Sequence, residues 1–190
     1  MFHVEQESAE RAAQVLILPG WQGSGPEHWQ SRWEALHGYA RVEQHDWQQP
    51  RRGDWLARLE ETVIDSERPV VLVAHSLGCV LVAAWAKFSR HVHKVDGALL
   101  VAPGDVEHPG LAPALPGWSP ILREPLPFAS LLVASRDDPY CSFERAAALA
   151  GYWGSRLVDA GASGHLNSDS GLGDWPEGHA LLQSLLAGRV

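Results

Sequence analysis

Cysteine is scarce in this chain: Cys79 and Cys141 are the only two in 190 residues. Two thiols cannot build a disulfide framework, which excludes the small stapled folds and points to a reducing, cytoplasmic setting. Long hydrophobic runs are also missing. The longest, Cys79 to Ala86, is far too short to span a bilayer, so no membrane partner is expected. No targeting signal is expected either, because Met1 to Glu7 is polar and acidic where a signal peptide would be basic and then apolar. Basic clusters are limited to Arg51-Arg52 and the formal net charge is −8, which speaks against a nucleic-acid partner. Metal chemistry is poorly supported, since His91-x-His93 has no cysteine or carboxylate at ligand spacing.

What remains is an ordinary globular composition, 45% hydrophobic and 20% charged, long enough for one domain with a real core and short for two. Residues 1–14 read as a polar N-terminal tail and 15–190 as a single domain. Nine tryptophans is a high count, and core packing is the plain explanation for most of them.

Short β-branched runs alternate with amphipathic stretches, the pattern of repeated βαβ units around a parallel sheet. Strands are expected at Val15–Leu18, Arg41–Trp47, Val70–Val73, Ala98–Val101, Leu131–Ala134 and Arg156–Val158. One helix should open at Pro26, bury Trp29, Trp33 and Leu36, and end at Gly38. A second should be capped by Asp54, with Trp55, Leu59, Val63 and Ile64 inward. Leu77–Phe88, Ser142 to about Tyr152, and Pro176–Leu186 complete the helices. Between Pro103 and Pro127 lie seven of the 13 prolines, a segment expected to form a wall or an irregular loop.

The most informative stretch is Ala74-His75-Ser76-Leu77-Gly78, which follows the apolar run Val70–Val73 and opens onto a helical pattern. Small-x-Ser-x-Gly at a strand–turn–helix junction describes a nucleophile elbow. Small residues flank the serine because neighbouring backbone passes close, and the helix beneath offers free N–H groups to an oxyanion. A serine needs a base, and the base an orienting acid, in chain order Ser, Asp/Glu, His when each comes from a loop at a strand's carboxyl end. Asp137-Asp138-Pro139 follows the fifth strand, and His165 follows the sixth in the small-residue run Gly161-Ala162-Ser163-Gly164. Ser76, Asp138 and His165 are therefore the expected triad, with Asp105 after the fourth strand as the rival acid. Leu77 and Trp21 are the expected oxyanion donors, Trp21 from the glycine-rich loop Gly20–Gly25. That loop's Gly20-x-x-Gly23-x-Gly25 spacing misses the dinucleotide pattern, and no lysine follows to make a phosphate loop, so no cofactor is expected.

With those residues in place, the chain resembles the α/β-hydrolase superfamily, and more narrowly the small serine hydrolases related to retinoblastoma-binding protein nine. The resemblance is carried by Leu18-Pro19-Gly20-Trp21-Gln22-Gly23-Ser24 with His28-Trp29 and Trp33, and by the elbow itself. Ser135 to Tyr140, Gly164-His165-Leu166-Asn167-Ser168 and Trp175-Pro176 complete it. It implies a trimmed three-layer fold without a lid domain, and Ser76, Asp138 and His165 as the triad. Ala74 departs from the superfamily's first glycine.

The expected architecture is an α/β-hydrolase fold with a six-stranded parallel sheet in order 2-1-3-4-5-6 and helices on both faces. The switch point between strands one and three brings the Gly20 loop to Ser76. The expected activity is acyl transfer from a small ester, thioester or amide to water. Gly20, His75, Trp118 and Trp175 are the further candidates for the substrate pocket. A hydrolase fold kept as a silent protein-binding module is the alternative, and would offer no path to Ser76. Transfer to an acceptor other than water, and assembly as a homodimer, stay open.

Overall fold

The computed structural model describes residues 12–190. Most of the expected tail, residues 1–11, lies outside the described residues. Gln14, assigned to the tail, is instead the first residue of strand β1 (Gln14–Leu18), where it pairs with Val70. The other strands are β2 (Ala40–Arg41), β3 (Val70–His75), β4 (Val95–Val101), β5 (Ala129–Ala134) and β6 (Arg156–Asp159). All pairings are parallel, and the sheet order is β2-β1-β3-β4-β5-β6. The helices are α1 (Trp29–His37), α2 (Arg52–Asp65), α3 (Leu77–Phe88), α4 (Phe143–Trp153) and α5 (Pro176–Leu186).

The two-residue period of a strand splits each apolar run between two cores. Leu16, Leu18, Val70, Leu72, Ala74, Ala98 and Leu100 face one core, which α2, α3 and α4 cover. Val15, Ile17, Val71, Val73, Leu99 and Val101 face the other, covered by α1 and α5. Burial on both faces explains why β3 and β4 read as continuous apolar runs rather than alternating ones.

Several local expectations need correction. The second strand is two residues long, not Arg41–Trp47. Past the Val42 N–H, which still reaches the Ile17 carbonyl, the chain leaves the sheet and Asp46 folds it into a turn by accepting from the Gln48 and Gln49 N–H groups. The first helix starts at Trp29, because His28 rather than Pro26 sets its N-terminus; Gly38 ends it in the left-handed region as expected. Trp29 and Trp33 are buried, but Leu36 is exposed. In α2, Asp54 sits within the first turn, Arg51 holds the cap position, and Ile64 faces out while Trp55, Leu59 and Val63 face in.

Between β4 and β5 the proline-rich segment contains one short 3-10 turn, Ala112–Ala114. Side chains tie it down. Glu107 accepts from the Ile121 N–H, from Arg123 and from Arg145, and the Trp118 indole N–H donates to the Pro50 carbonyl at 2.9 Å. The segment is thus a fixed wall packed over α2 and α3.

Candidate active site

The carboxyl ends of β1, β3, β4, β5 and β6 converge on Ser76. The strand β3 stops at His75, Ser76 takes φ 55° and ψ −118°, and α3 starts at Leu77. Such a backbone costs on the order of 1–3 kcal/mol for a residue with a Cβ, and it stands only where surroundings enforce it. Here the Ser76 N–H donates to the Val101 carbonyl at 3.0 Å, which locks the turn to β4. Gly78 is required because a Cβ there would overlap the Leu18 carbonyl oxygen. Ala74 is fully buried in the sheet, so its methyl is accommodated.

Ser76 Oγ lies 2.9 Å from His165 Nε2. On the far side of the ring, His165 Nδ1 lies 2.9 Å from both Asp138 carboxylate oxygens. Asp138 is almost fully buried, with 3% of its side chain exposed, and His165 nearly so. The chain brings these three groups together from residues 76, 138 and 165. Asp105 is not their rival: its carboxylate faces the Arg145 guanidinium at 3.3 Å. Asp137 is spoken for as well, accepting from the Ser135 hydroxyl and the Gly164 N–H at 2.8 Å each, bonds that lower its pKa.

The loop carrying His165 is held from two sides. Its early part hangs from β5, through Ser163 N–H to Ser135 Oγ and Gly164 N–H to Asp137. Its later part is tied across the molecule. His75 Nε2 meets the His165 carbonyl at 2.9 Å, and the Trp29 indole N–H donates to the Leu166 carbonyl at 2.8 Å. Burial holds the His75 pKa far below the ordinary value, with His28 and His165 adding to the effect, so the ring is neutral and donates through Nε2–H.

Leu77, as the first residue of α3, has no intrahelical acceptor for its N–H. The Trp21 N–H likewise finds no acceptor among the described residues. Both residues line the cavity beside Ser76, and Gly20 makes the approach feasible: a Cβ on it would fall 2.8 Å from Ser76 Cβ and 3.1 Å from the Leu77 nitrogen. The loop is anchored from below by the buried Gln30. Its amide accepts from Ser24 Oγ at 2.6 Å and donates to the Leu18 and Val73 carbonyls at 3.2 Å, stapling β1, β3 and the loop at the switch point.

The cavity in front of Ser76 has a volume of about 370 Å³, within the range of small-molecule sites. Gly20 and His75 line it, as the sequence suggests. Trp118 and Trp175 do not, and both assignments are corrected. Trp118 is fully buried edge-on to Trp55, and Trp175 is buried between Trp29 and Trp33, because large indoles gain more in the two cores than at a wet rim. The cavity is lined instead by Gly104, Val106, Leu111 and Leu115, and by Tyr140, Asn167 and Asp169 around His165.

His28 is the residue that motif reasoning left without a role. It caps α1 by accepting the Gln30 N–H on Nδ1 at 3.1 Å, and it packs edge-on against His75 with ring centroids 4.7 Å apart. Burial lowers its pKa to about 3, with His165 and Arg41 contributing. The neutral ring therefore carries its proton on Nε2, which has no partner among the described residues. The only hint in the sequence is its place just before Trp29.

The sequence pattern of the serine hydrolase family matches residues 15–184. No curated protein matches the chain by sequence. Among solved structures, a YdeN-like hydrolase from Pectobacterium atrosepticum is 28% identical, with a TM-score of 0.84, covering 98% of this chain and 96% of that one. The ydeN gene product of B. subtilis is 23% identical with a TM-score of 0.74, covering 92% and 99%. Est1E from Butyrivibrio proteoclasticus, solved with ferulic acid bound, shares the fold at 14% identity and a TM-score of 0.67, covering 92% and 90%.

Proposed function

The chain belongs to the serine hydrolase family, and on that premise we propose that it is an esterase-like enzyme working through a Ser76–His165–Asp138 triad and an acyl-enzyme. The observation that carries the reading is the unbroken hydrogen-bond chain from Ser76 Oγ through His165 to Asp138. In the proposed reaction His165 Nε2 takes the Ser76 proton as Oγ attacks the acyl carbon. Asp138 holds the Nδ1–H tautomer and steadies the imidazolium. The Leu77 and Trp21 N–H groups receive the oxyanion, a contribution on the order of 3 kcal/mol per donor in such sites. His165 then passes its proton to the departing oxygen, sulfur or nitrogen, leaving Ser76 acylated. Water, deprotonated by the same nitrogen, releases the acid and restores the serine.

The binding-module alternative requires a nucleophile with no access. Ser76 and His165 both line the open cavity, which favours the enzyme. Among the described residues no helix is long and apolar enough to cross a membrane, and both cysteines are free and buried. We keep a cytoplasmic location as part of the proposal. The deciding experiment is fluorophosphonate labelling of wild type and Ser76→Ala at mildly alkaline pH. Labelling confined to wild type supports the reading; an unlabelled, folded wild type sinks it.

A further inference from the structure

Resting on that reading, we propose that the site takes esters of hydroxyl-rich alcohols, with the acyl group against the 104–115 wall and the alcohol toward Tyr140, Asn167 and Asp169. The two sides of the cleft differ in chemistry. Val106, Leu111 and Leu115 belong to the core over α2 and α3, and they present an apolar wall. That wall reaches the nucleophile: a Cβ on Gly104 would stand 3.3 Å from Ser76 Oγ and 3.8 Å from Leu111 Cδ2.

Toward His165 the space does not end with this cavity. A second cavity of about 510 Å³ begins there, and it shares Tyr140, His165, Asn167 and Asp169 with the first. The shared residues carry unused polar groups. Asn167 Oδ1 accepts from the Asp169 N–H at 3.1 Å, and the amide nitrogen makes no hydrogen bond among the described residues. The Tyr140 hydroxyl and the Asp169 carboxylate make no hydrogen bond among the described residues, although the Tyr140 ring lies edge-on to His165 with centroids 4.6 Å apart. Among the described residues no lysine or arginine lines either cavity, so nothing there matches an anionic alcohol such as a phosphate ester.

Reaction geometry decides which half of the substrate meets which wall. The proton taken from Ser76 sits on His165 Nε2 and must reach the leaving oxygen, so the alcohol leaves on the histidine side. A neighbouring hydroxyl on that alcohol can donate to Asp169 and accept from Asn167 and Tyr140. The acyl carbon chain is left facing Gly104, Val106 and Leu111. The bonds exchanged are those of the proposed hydrolysis: the ester C–O breaks, the Ser76 Oγ–C bond forms, and the alcohol leaves with the histidine's proton.

The test compares 1-monobutyryl glycerol with n-propyl butyrate, which share the acyl group and a three-carbon alcohol. In wild type the kcat/KM ratio should favour the glyceryl ester by about tenfold, the scale of one hydrogen bond to a charged group. In the double variant Asp169→Ala/Tyr140→Phe the ratio should fall to within about threefold of unity. Both positions are exposed, and a melting curve checks that the variant is folded. A wild-type ratio near one, or a ratio that survives the double substitution, overturns the inference. Fluorophosphonate labelling of the same samples separates the two levels. A labelled enzyme indifferent to the alcohol overturns this inference alone, whereas an unlabelled wild type overturns the serine-hydrolase mechanism and this inference with it.

Discussion

Replacing Gly20 with alanine adds one methyl at a crowded point beneath the proposed oxyanion site. The new Cβ would lie 2.8 Å from Ser76 Cβ, 3.0 Å from the His75 carbonyl oxygen and 3.1 Å from the Leu77 nitrogen. Ordinary contact starts at 3.4 Å, so the loop must retreat by about 0.6 Å. None of the three atoms is the free end of a flexible side chain; two are backbone on the elbow itself. Gly20 is not in the left-handed region, so alanine suits its φ and the effect reports the contact alone. The retreat carries the Trp21 N–H away from where the oxyanion would form, while the cavity beyond stays intact. Displacements approaching 1 Å cost on the order of a hundredfold in rate, and loss of one oxyanion donor costs about 10²–10³. The expected outcome is a kcat about 100-fold below wild type on a p-nitrophenyl ester, with KM changed by less than about threefold. Thermal melting should show a well-folded protein, destabilised by about 1–3 kcal/mol, the usual cost of overpacking. A Gly20→Ala enzyme within threefold of wild-type kcat would refute the assignment of this loop to the oxyanion site.

Asp138→Asn should lower kcat by about 10⁴ with little change in KM, because the amide favours the wrong imidazole tautomer. Asp105→Asn should instead lower the melting temperature by loosening Arg145, and an equal loss of kcat would reopen the choice of acid. His75→Leu removes the donor to the His165 carbonyl, and both labelling rate and kcat should drop about tenfold or more. His75→Gln can place an amide N–H near the same point and should recover part of the loss; equal behaviour of the two variants would argue against that hydrogen bond. His28→Asn keeps an oxygen to cap α1 but removes the buried imidazole. His28 has a folded pKa of about 3, below its unfolded value, so the unfolded chain binds the extra proton and folding loses stability as pH falls from about 6.5 toward 3. The variant should therefore gain on wild type by about 1 kcal/mol per pH unit over that window in urea titrations, and parallel curves would contradict it.

The fold and the meeting of Ser76, His165 and Asp138 are legible because each rests on a local pattern. The runs Val15–Leu18, Val70–Val73 and Leu131–Ala134 are apolar on both faces, which suits a parallel sheet covered by helices twice over. The order 2-1-3-4-5-6 follows once the polar second strand is placed at an edge. Ser76, Asp138 and His165 are recognisable because each lies in the turn or loop that follows a strand. What misled was treating tryptophans near the site as its walls. Periodicity cannot say which way an indole turns in an irregular segment, and Trp118 and Trp175 turned inward to the cores. The actual wall residues, Val106, Leu111 and Leu115, sit among prolines where no period exists to read.

Backbone strain was the other hidden feature, and it bears most directly on function. Among the described residues, five other than glycine have positive φ: Gln22, Ser76, Ala102, Leu166 and Trp175. Four of these lie where the ends of β1, β3, β4 and β6 meet around the cavity: Gln22 within the Gly20–Gly25 loop, Ser76 at the elbow, Ala102 shortly before Gly104 and Leu166 immediately after His165. Glycine is the residue by which a sequence announces a left-handed turn, so strain placed on Gln22, Ala102 and Leu166 is invisible before folding, whereas the elbow pattern around Ser76 announces its turn. Each such residue costs stability that the surrounding bonds must offset: Ser76 N–H to Val101, Ala102 N–H to Val133, and the Trp29 indole to the Leu166 carbonyl. Those bonds all bridge different elements. These bonds tie the end of β3 to β4, the end of β4 to β5 and α1 to the His165 loop, so the alignment of Ser76 with His165 depends on those three junctions together. Partial unfolding that frees any one of these bridges should abolish fluorophosphonate labelling before the helical signal is lost, and a urea titration in which the two decline together would count against that coupling.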